Sequence, residues 1–378
     1  MKTLSDFNFK GKSVLLRVDI NSPVKGKKVL MNERIEEAAK SIKSLQDKKA
    51  KVVVLAHQGR KGDSDFISLE QHSRLLNKIV KIKFVSDIIG EKAVKEIKAL
   101  KEGEALLLEN VRFLEEENNL SLDNKFVRIL SGLAEIYVND AFSVSHREQA
   151  SIVSFPKIIK SCAGINLEKE LEALSKIKIK DALYILGGSK TEENLLLIQP
   201  GRKIITAGMF GQLCMLASDF KFGKHEEFLD IKNLEITKNT VKNISLTTPE
   251  DFAVKEKGKR KELELKDFPN DYEIFDIGKK TIEKFKTEIK KAECVFMKGP
   301  LGYCEDKQFQ KGTKEILEAI SSRKIFSVIG GGHLSAAISY LHINKKKFSH
   351  ISLSGGALVS YLSGKNLPGI DVLEKKHQ

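Results

Sequence analysis

Two glycine-rich turns late in the chain and a series of basic residues early in it are the groups whose types and spacing could do chemistry. Between Ser327 and Leu362, SVIGGGHLSAAISYL and then HISLSGGALVSYL each pass from a short apolar strand candidate through glycines into a helical pattern. At such a turn the first helical N–H groups have no intrahelical partner, so two of them can present donors to one anion. The chemistry on offer is phosphate handling. Neither turn is a GxGxxG fingerprint, and GxxxxGK[ST] does not occur.

The early half supplies cations by a repeated design. Ser13 to Ile20 (SVLLRVDI) is a mostly apolar strand whose end carries Arg17, Asp19 and Asn21. Lys51 to Ala56 runs into His57-Gln58-Gly59-Arg60, Ala105 to Leu108 into Glu109, Asn110 and Arg112, and Ile136 to Val138 into Asn139, Asp140 and then His146-Arg147. Parallel strands buried on both faces read as nearly continuous apolar runs, and open α/β sheets place ligands at their carboxyl ends. Arginines gathered at one such edge make an anion pocket, because a guanidinium fork matches phosphate or carboxylate oxygens two at a time. Asn32 to Gln46 has helical spacing with Asn32 as its cap, which puts Arg34 in the first turn. A cation there opposes the helix dipole unless an anion is close by.

The elements that must position these groups form two series. Strand, polar end and helix recur four times before residue 150, with spacing that permits parallel crossovers. Pro156 to Leu174 reads as a turn followed by a long amphipathic helix, so the junction falls within 157–175. A second α/β series begins at Ala182 to Leu186, which ends in Gly187-Gly188-Ser189-Lys190. It continues through Lys203 to Ala207, a helix over Gly208 to Ala217, Ile244 to Thr247, Tyr272 to Ile277 and Cys294 to Met297. The charged stretch Phe222 to Lys266 gives no clear pattern. At 378 residues the chain exceeds what one hydrophobic core usually organises, so two domains are expected.

Bulk properties exclude several functions. No run of 18 apolar residues could span a membrane and the first residues lack a signal-peptide core, so a cytoplasmic protein is expected. Cys162, Cys214, Cys294 and Cys304 show no paired CxxC spacing and read as buried thiols in a reducing compartment, with a disulfide left open by their even number. The formal charge of +14 suits anionic metabolites. Lysines are spread through helical segments without interleaved aromatics, and no nucleic-acid-binding signature is present, so nucleic acid is not expected as a partner.

Nine motifs in order resemble phosphoglycerate kinase over essentially the whole chain: RVDINSP (Arg17 to Pro23), HQGR (His57 to Arg60), LENVRF (Leu108 to Phe113), VNDAF with HR (Val138 to Phe142, His146-Arg147), LGGSK (Leu186 to Lys190), DIGKKT (Asp276 to Thr281), KGPLGYCE (Lys298 to Glu305), IGGGH (Ile329 to His333) and SGGA (Ser354 to Ala357). The compact length is similar to the archaeal branch. The resemblance implies a monomeric hinge-bending enzyme with two Rossmann-like three-layer αβα domains. Residues 1–160 would bind phosphoglycerate, with 365–378 packing back on them, 161–175 would connect, and 176–364 would bind the nucleotide with its Mg²⁺. The implied reaction is reversible phosphoryl transfer between 1,3-bisphosphoglycerate and ADP, giving 3-phosphoglycerate and ATP.

Carried over residue by residue, the resemblance implies that Asp19, Asn21, Arg34, His57, Arg60, Arg112 and Arg147 hold the glycerate substrate, with Arg34 nearest the reacting group. Lys190 and the N–H groups of Gly355 and Gly356 would stabilise the transferring phosphate. Gly187, Gly188, Gly208, Lys298, Pro300, Glu305, Gly330, Gly331, Gly332 and His333 would line the nucleotide site. Departures from the family pattern all fall on the nucleotide side: Lys298 where asparagine is usual, Asn194 where a second lysine often lies, His333 where many members have a metal-ligating aspartate, Leu353 and Ser354 in the usual Thr-Gly-Gly-Gly, and Thr206 and Ala207 before Gly208. The magnesium ligand is left open, since neutral imidazole suits hard Mg²⁺ poorly. Lys298 could replace charge missing at Asn194. The departures motivate a second reading, a catalytically weak homologue that senses phosphoglycerate or nucleotide, and a third, a surface that binds polyanions.

Overall fold

The computed structural model describes residues 1–374. The chain divides into two compact units, Met1–Glu172 together with the terminal segment from Lys365, and Ala173–Gly364. Both are α/β units built on six-stranded parallel sheets, as the apolar runs led us to expect.

In the first unit the strands are β1 (Ser13–Arg17), β2 (Lys51–Leu55), β3 (Lys83–Val85), β4 (Ala105–Leu108), β5 (Ile136–Asn139) and β6 (Lys160–Ala163). Their spatial order is β3-β4-β2-β1-β5-β6. Leu15 of β1 lies opposite Val53 on one side and Tyr137 on the other. Alternate residues feed different cores: Val14 and Leu16 pack with Val52, Val54 and Val138, whereas Leu15 packs with Val53, Leu106 and Tyr137. Burial on both faces is why these strands read as unbroken apolar runs. The helix Glu33–Asp47 covers one face with Ile35, Ala38, Ala39, Ile42 and Leu45, and Asn32 caps it as its sequence predicts.

Two of these strands depart from the sequence reading. Lys83–Val85 was not anticipated, and Lys160–Ala163 lies inside the stretch expected to run from turn to helix. Both sit at the outer edges of the sheet, where a strand pairs on one side only and a short one carries little periodicity. The helix Ile165–Ser175 follows and crosses the boundary between the units.

The second unit contains β7 (Leu183–Leu186), β8 (Lys203–Thr206), β9 (Leu246–Thr247), β10 (Asp251–Glu256), β11 (Lys259–Glu264), β12 (Ile274–Ile277), β13 (Cys294–Lys298), β14 (Phe326–Gly330) and β15 (His350–Ser352). The parallel order is β9-β8-β7-β13-β14-β15, and β11-β10-β12 form a separate antiparallel sheet. The Tyr272 to Ile277 strand, expected in the parallel series, therefore belongs elsewhere. Charged residues on the β10–β11 hairpin hid its alternation. Its turn, Lys257-Gly258, has positive φ at both positions, as a two-residue hairpin turn requires.

The terminal helix Pro368–Glu374 packs on the first unit, where Gly369 N–H donates to Ser145 O (2.9 Å) and Gly369 O accepts from Asn139 Nδ2 (3.1 Å). Residues 375–378 of the expected return lie outside the described residues. In each parallel sheet the strand order reverses beside the first strand, between β1 and β5 and between β7 and β13. Those switch points leave a crevice at the carboxyl ends, where ligands bind in open α/β sheets.

Candidate functional site

At the first switch point the structure brings together every site residue expected there. Asp19 Oδ2 lies 2.9 Å from Arg34 Nη1 and accepts from Ser143 Oγ, while Oδ1 accepts from Asn21 N–H at 2.9 Å. Burial pushes the Asp19 carboxyl up, but Arg34 and these hydrogen bonds outweigh it and hold the group at about 2. The anion that a cation at a helix N-terminus needs is thus Asp19. Asn21 Oδ1 accepts from Gly59 N–H (2.9 Å), and Gly59 O accepts from Arg112 Nη1 (2.6 Å). The ends of β1, β2 and β4 are thereby stitched together. Gly59 has φ +65° and leaves no room for a Cβ, which would fall 2.4 Å from Asp65 O.

Beside this edge lies a cavity of about 470 Å³ lined by Arg60, Lys61, Phe66, Arg112, Phe113 and Arg147, among others. Burial lowers Arg112 to about 10, helped by the neighbouring charges of Arg17 and Arg147, and burial and Arg60 lower Arg147. Arg112 and Arg147 nonetheless remain cationic at neutral pH. Among the described residues no carboxylate forms an ion pair with Arg60, Arg112 or Arg147, so their mutual repulsion favours an incoming anion.

At the second switch point three strand-end turns pack backbone to backbone. Gly187 N–H donates to Lys298 O and Gly188 N–H to Pro300 O, each at 2.7 Å. Gly208 has φ +58°, and a Cβ there would meet Gly188 N and Pro300 O at 2.9 Å. These glycines serve close approach of the turns to one another. Gly330 is buried against Leu358 and Phe296, whereas Gly331 and Gly332 face open space and His333 is exposed. Glu305 is exposed and accepts from Tyr303 Oη at 3.0 Å.

Lys190, Lys298 and Gly355 converge on one carboxylate that the sequence did not single out. Glu193 Oε1 lies 3.4 Å from Lys190 Nζ and Oε2 lies 3.1 Å from Lys298 Nζ. A Cβ on Gly355 would come 3.5 Å from Glu193 Oε2 and 3.9 Å from Lys190 Nζ. Gly356 opens the helix Gly356–Leu362 directly behind. Burial pushes the Glu193 carboxyl up, but Lys298 and Lys190 together hold it below its usual range.

A family model for phosphoglycerate kinase matches residues 4–365. The chain belongs to the phosphoglycerate kinase family. It is 37% identical to the phosphoglycerate kinase of Methanopyrus kandleri over 99% of this chain and 97% of that one, and 39% identical to that of Thermococcus sibiricus over 100% and 98%. The crystal structure of phosphoglycerate kinase from Pyrococcus horikoshii superposes with a TM-score of 0.91 at 35% identity, covering 99% of this chain and 98% of that chain. The Coxiella burnetii enzyme gives 0.82 at 30% identity, with full coverage of both chains. The likeness to archaeal relatives makes this an archaeal-like phosphoglycerate kinase family member, and phosphoryl transfer is the chemistry of the family.

Within this family frame, two of the departures in the second unit turn out to be one feature. Buried Lys298 donates to Asn194 Oδ1 at 3.0 Å, and Asn194 Nδ2 donates to Gly187 O at 2.9 Å. The ammonium carried by β13 thus sits against the helix Thr191–Leu195, on the very residue where the resemblance places a second lysine. No three His, Cys, Asp or Glu side chains gather to hold a metal among the described residues. Arg17 also differs from its sequence reading: it lies at a strand end like the other arginines, yet its side chain is completely buried and bonds Ser151, Val18 O and His57. Nothing in the local sequence separates it from the arginines that line the cavity.

Proposed function

We propose that the chain is a phosphoglycerate kinase, transferring phosphoryl reversibly between 1,3-bisphosphoglycerate and Mg-ADP to give 3-phosphoglycerate and Mg-ATP in glycolysis and gluconeogenesis. The observation that carries this reading is the arginine-lined cavity of the first unit, where Arg60, Arg112 and Arg147 form no ion pair with a carboxylate among the described residues and line space for a small anion. Arg60, Arg112 and Arg147 take the terminal phosphate of the glycerate, and Asp19, Asn21 and His57 take its hydroxyl and carboxyl end. A β-phosphate oxygen of ADP attacks the acyl phosphorus, the bond to the carboxyl oxygen breaks, and the electron pair stays on that oxygen as carboxylate. Arg34 offsets its developing charge. Lys190, Lys298 and the N–H groups of Gly355 and Gly356 hold the phosphoryl oxygens. Such a reaction needs little covalent chemistry from the protein; it needs alignment and fixed positive charge.

Pro300, Glu305 and the turns around Gly187, Gly188 and Gly208 form the nucleoside side of the site, with Gly330 to His333 close to the phosphates. Mg²⁺ arrives as part of the nucleotide substrate and takes oxygen ligands from its phosphates and water. The protein works as a monomer in the cytoplasm. A coupled assay in both directions, with 3-phosphoglycerate and ATP and then with the acyl phosphate and ADP, tests the reading across Mg²⁺ and Mn²⁺. Turnover in both directions is expected. Binding without turnover in either would instead make the protein a phosphoglycerate or nucleotide sensor.

A further inference from the structure

Beneath the first-unit site runs a buried polar chain that ends at His57. Glu117 accepts from Ser151 twice, from Oγ at 2.7 Å and from N–H at 2.9 Å. Ser151 Oγ in turn accepts from Arg17 Nε at 2.9 Å, and Arg17 Nη2 lies 3.2 Å from His57 Nδ1. Tyr137 Oη anchors the same turn through Ser151 O at 2.7 Å. Glu117, Ser151, Arg17 and His57 are all buried, and Arg17 and Ser151 completely so.

The chemistry of these groups fixes the proton. A guanidinium can only donate hydrogen bonds, so Nδ1 of His57 has to accept. The imidazole is then neutral with its proton on Nε2. The surroundings agree: burial most of all, then Arg17 at the end of β1, Arg112 after β4 and Arg34 from the first helix disfavour a charged ring, and among the charged groups facing it Asp19 alone favours it.

We propose that Arg17 is a positioning residue that, braced by Glu117 through Ser151, locks His57 in its neutral Nε2–H form, so that the site offers phosphoglycerate a directed hydrogen-bond donor without adding a titrating charge. The ligand's identity rests on the function proposed above; the tautomer does not. In a site already crowded with arginines, an imidazolium would add repulsion and make affinity depend on pH. A fixed neutral donor avoids both.

Long-range proton–nitrogen NMR on the full chain with ¹⁵N-labelled histidine tests this, with His57 assigned by its loss in His57→Gln. The expected spectrum has Nδ1 unprotonated and Nε2 protonated throughout about pH 8 to 5.5. In Arg17→Met the Nδ1–H tautomer should appear within that window, and KM for 3-phosphoglycerate should rise about tenfold or more with kcat changed far less. Ser151→Ala, which keeps the guanidinium but cuts its brace, should shift the His57 resonances and raise KM by a smaller factor. A wild-type His57 protonated on Nδ1, or titrating in that range, overturns the proposal. So does an Arg17→Met or Ser151→Ala protein with wild-type resonances and KM. If Arg17→Met does not fold, the wild-type spectrum and Ser151→Ala decide. Wild-type protein that fails to bind phosphoglycerate would overturn the proposed function and leave the tautomer result standing.

Discussion

Identical side chains take different work in this protein according to what surrounds them. Arg60 and Arg147 line a cavity, while Arg17, two residues before Asp19, is sealed into the interior. Replacing Arg147 with alanine should raise KM for 3-phosphoglycerate by about 10- to 100-fold, the range for a lost charge-assisted bond, with little change in melting temperature. Steady-state kinetics and a thermal melt check it. In the second unit, Lys298→Asn should lower turnover far more than phosphoglycerate affinity, because its ammonium lies beside Glu193 and Asn194, among the groups proposed to hold the phosphoryl oxygens. Adding Asn194→Lys to it should recover much of the lost rate, since the exchange returns an ammonium to the same spot from the neighbouring helix. Unchanged turnover in the single variant would remove Lys298 from the mechanism. Motif spacing picked out Lys190 and Lys298, but Glu193, which touches both, reads in the sequence as one acid among many.

Turns and hairpins, not side chains, decide how the second unit is held in shape. Gly208→Ala forces a Cβ onto a positive φ and within 2.9 Å of two backbone atoms, so it should cost about 1–3 kcal/mol and loosen the turns after β7 and β13. Denaturant unfolding measures it. The antiparallel sheet β11-β10-β12 is pinned by His225, whose Nδ1 accepts from Ile274 N–H at 3.1 Å and whose Nε2 meets Gln212 Oε1 at 2.8 Å. Burial lowers this imidazole from 6.5 to about 4. Because the folded value is depressed, its contribution is complete above about pH 6.5 and is lost as the pH falls through about 4, up to about 3 kcal/mol in all. Asp276, which burial pushes up to about 6, slopes the other way. The comparison that isolates His225 is therefore between the parent and His225→Gln: the variant should be less stable at neutral pH and flatter between about pH 4 and 6.5. Calorimetric melts at several pH values would show the two curves failing to converge if the assignment is wrong. Central strands such as Val52–Leu55 were legible because burial on both faces leaves an unbroken apolar run. Edge strands Lys83–Val85 and Lys160–Ala163 were not, because so few residues carry no periodicity, and the charged side chains of the hairpin masked its alternation.

At the scale of the whole molecule, the proposed function assigns glycerate and nucleotide to different compact units, so the transfer it describes would need both ligands held in one water-poor site. Small-angle scattering should give a smaller radius of gyration with 3-phosphoglycerate and nucleotide together than with either alone, and one profile for all states would contradict the assignment. Motif order alone established the family and the two-unit α/β plan, since parallel strands with polar ends leave their signature in local composition. The same local pattern placed Asp19, Arg60, Arg112 and Arg147 after strand ends and Arg34 in the first turn of a helix. Only the tertiary structure decided which of those strand ends meet, that Arg17 braces a histidine while its neighbours line a cavity, and that Lys298 and Asn194 touch. Those outcomes depend on packing between residues from 38 to 134 positions apart, and no local periodicity carries that information.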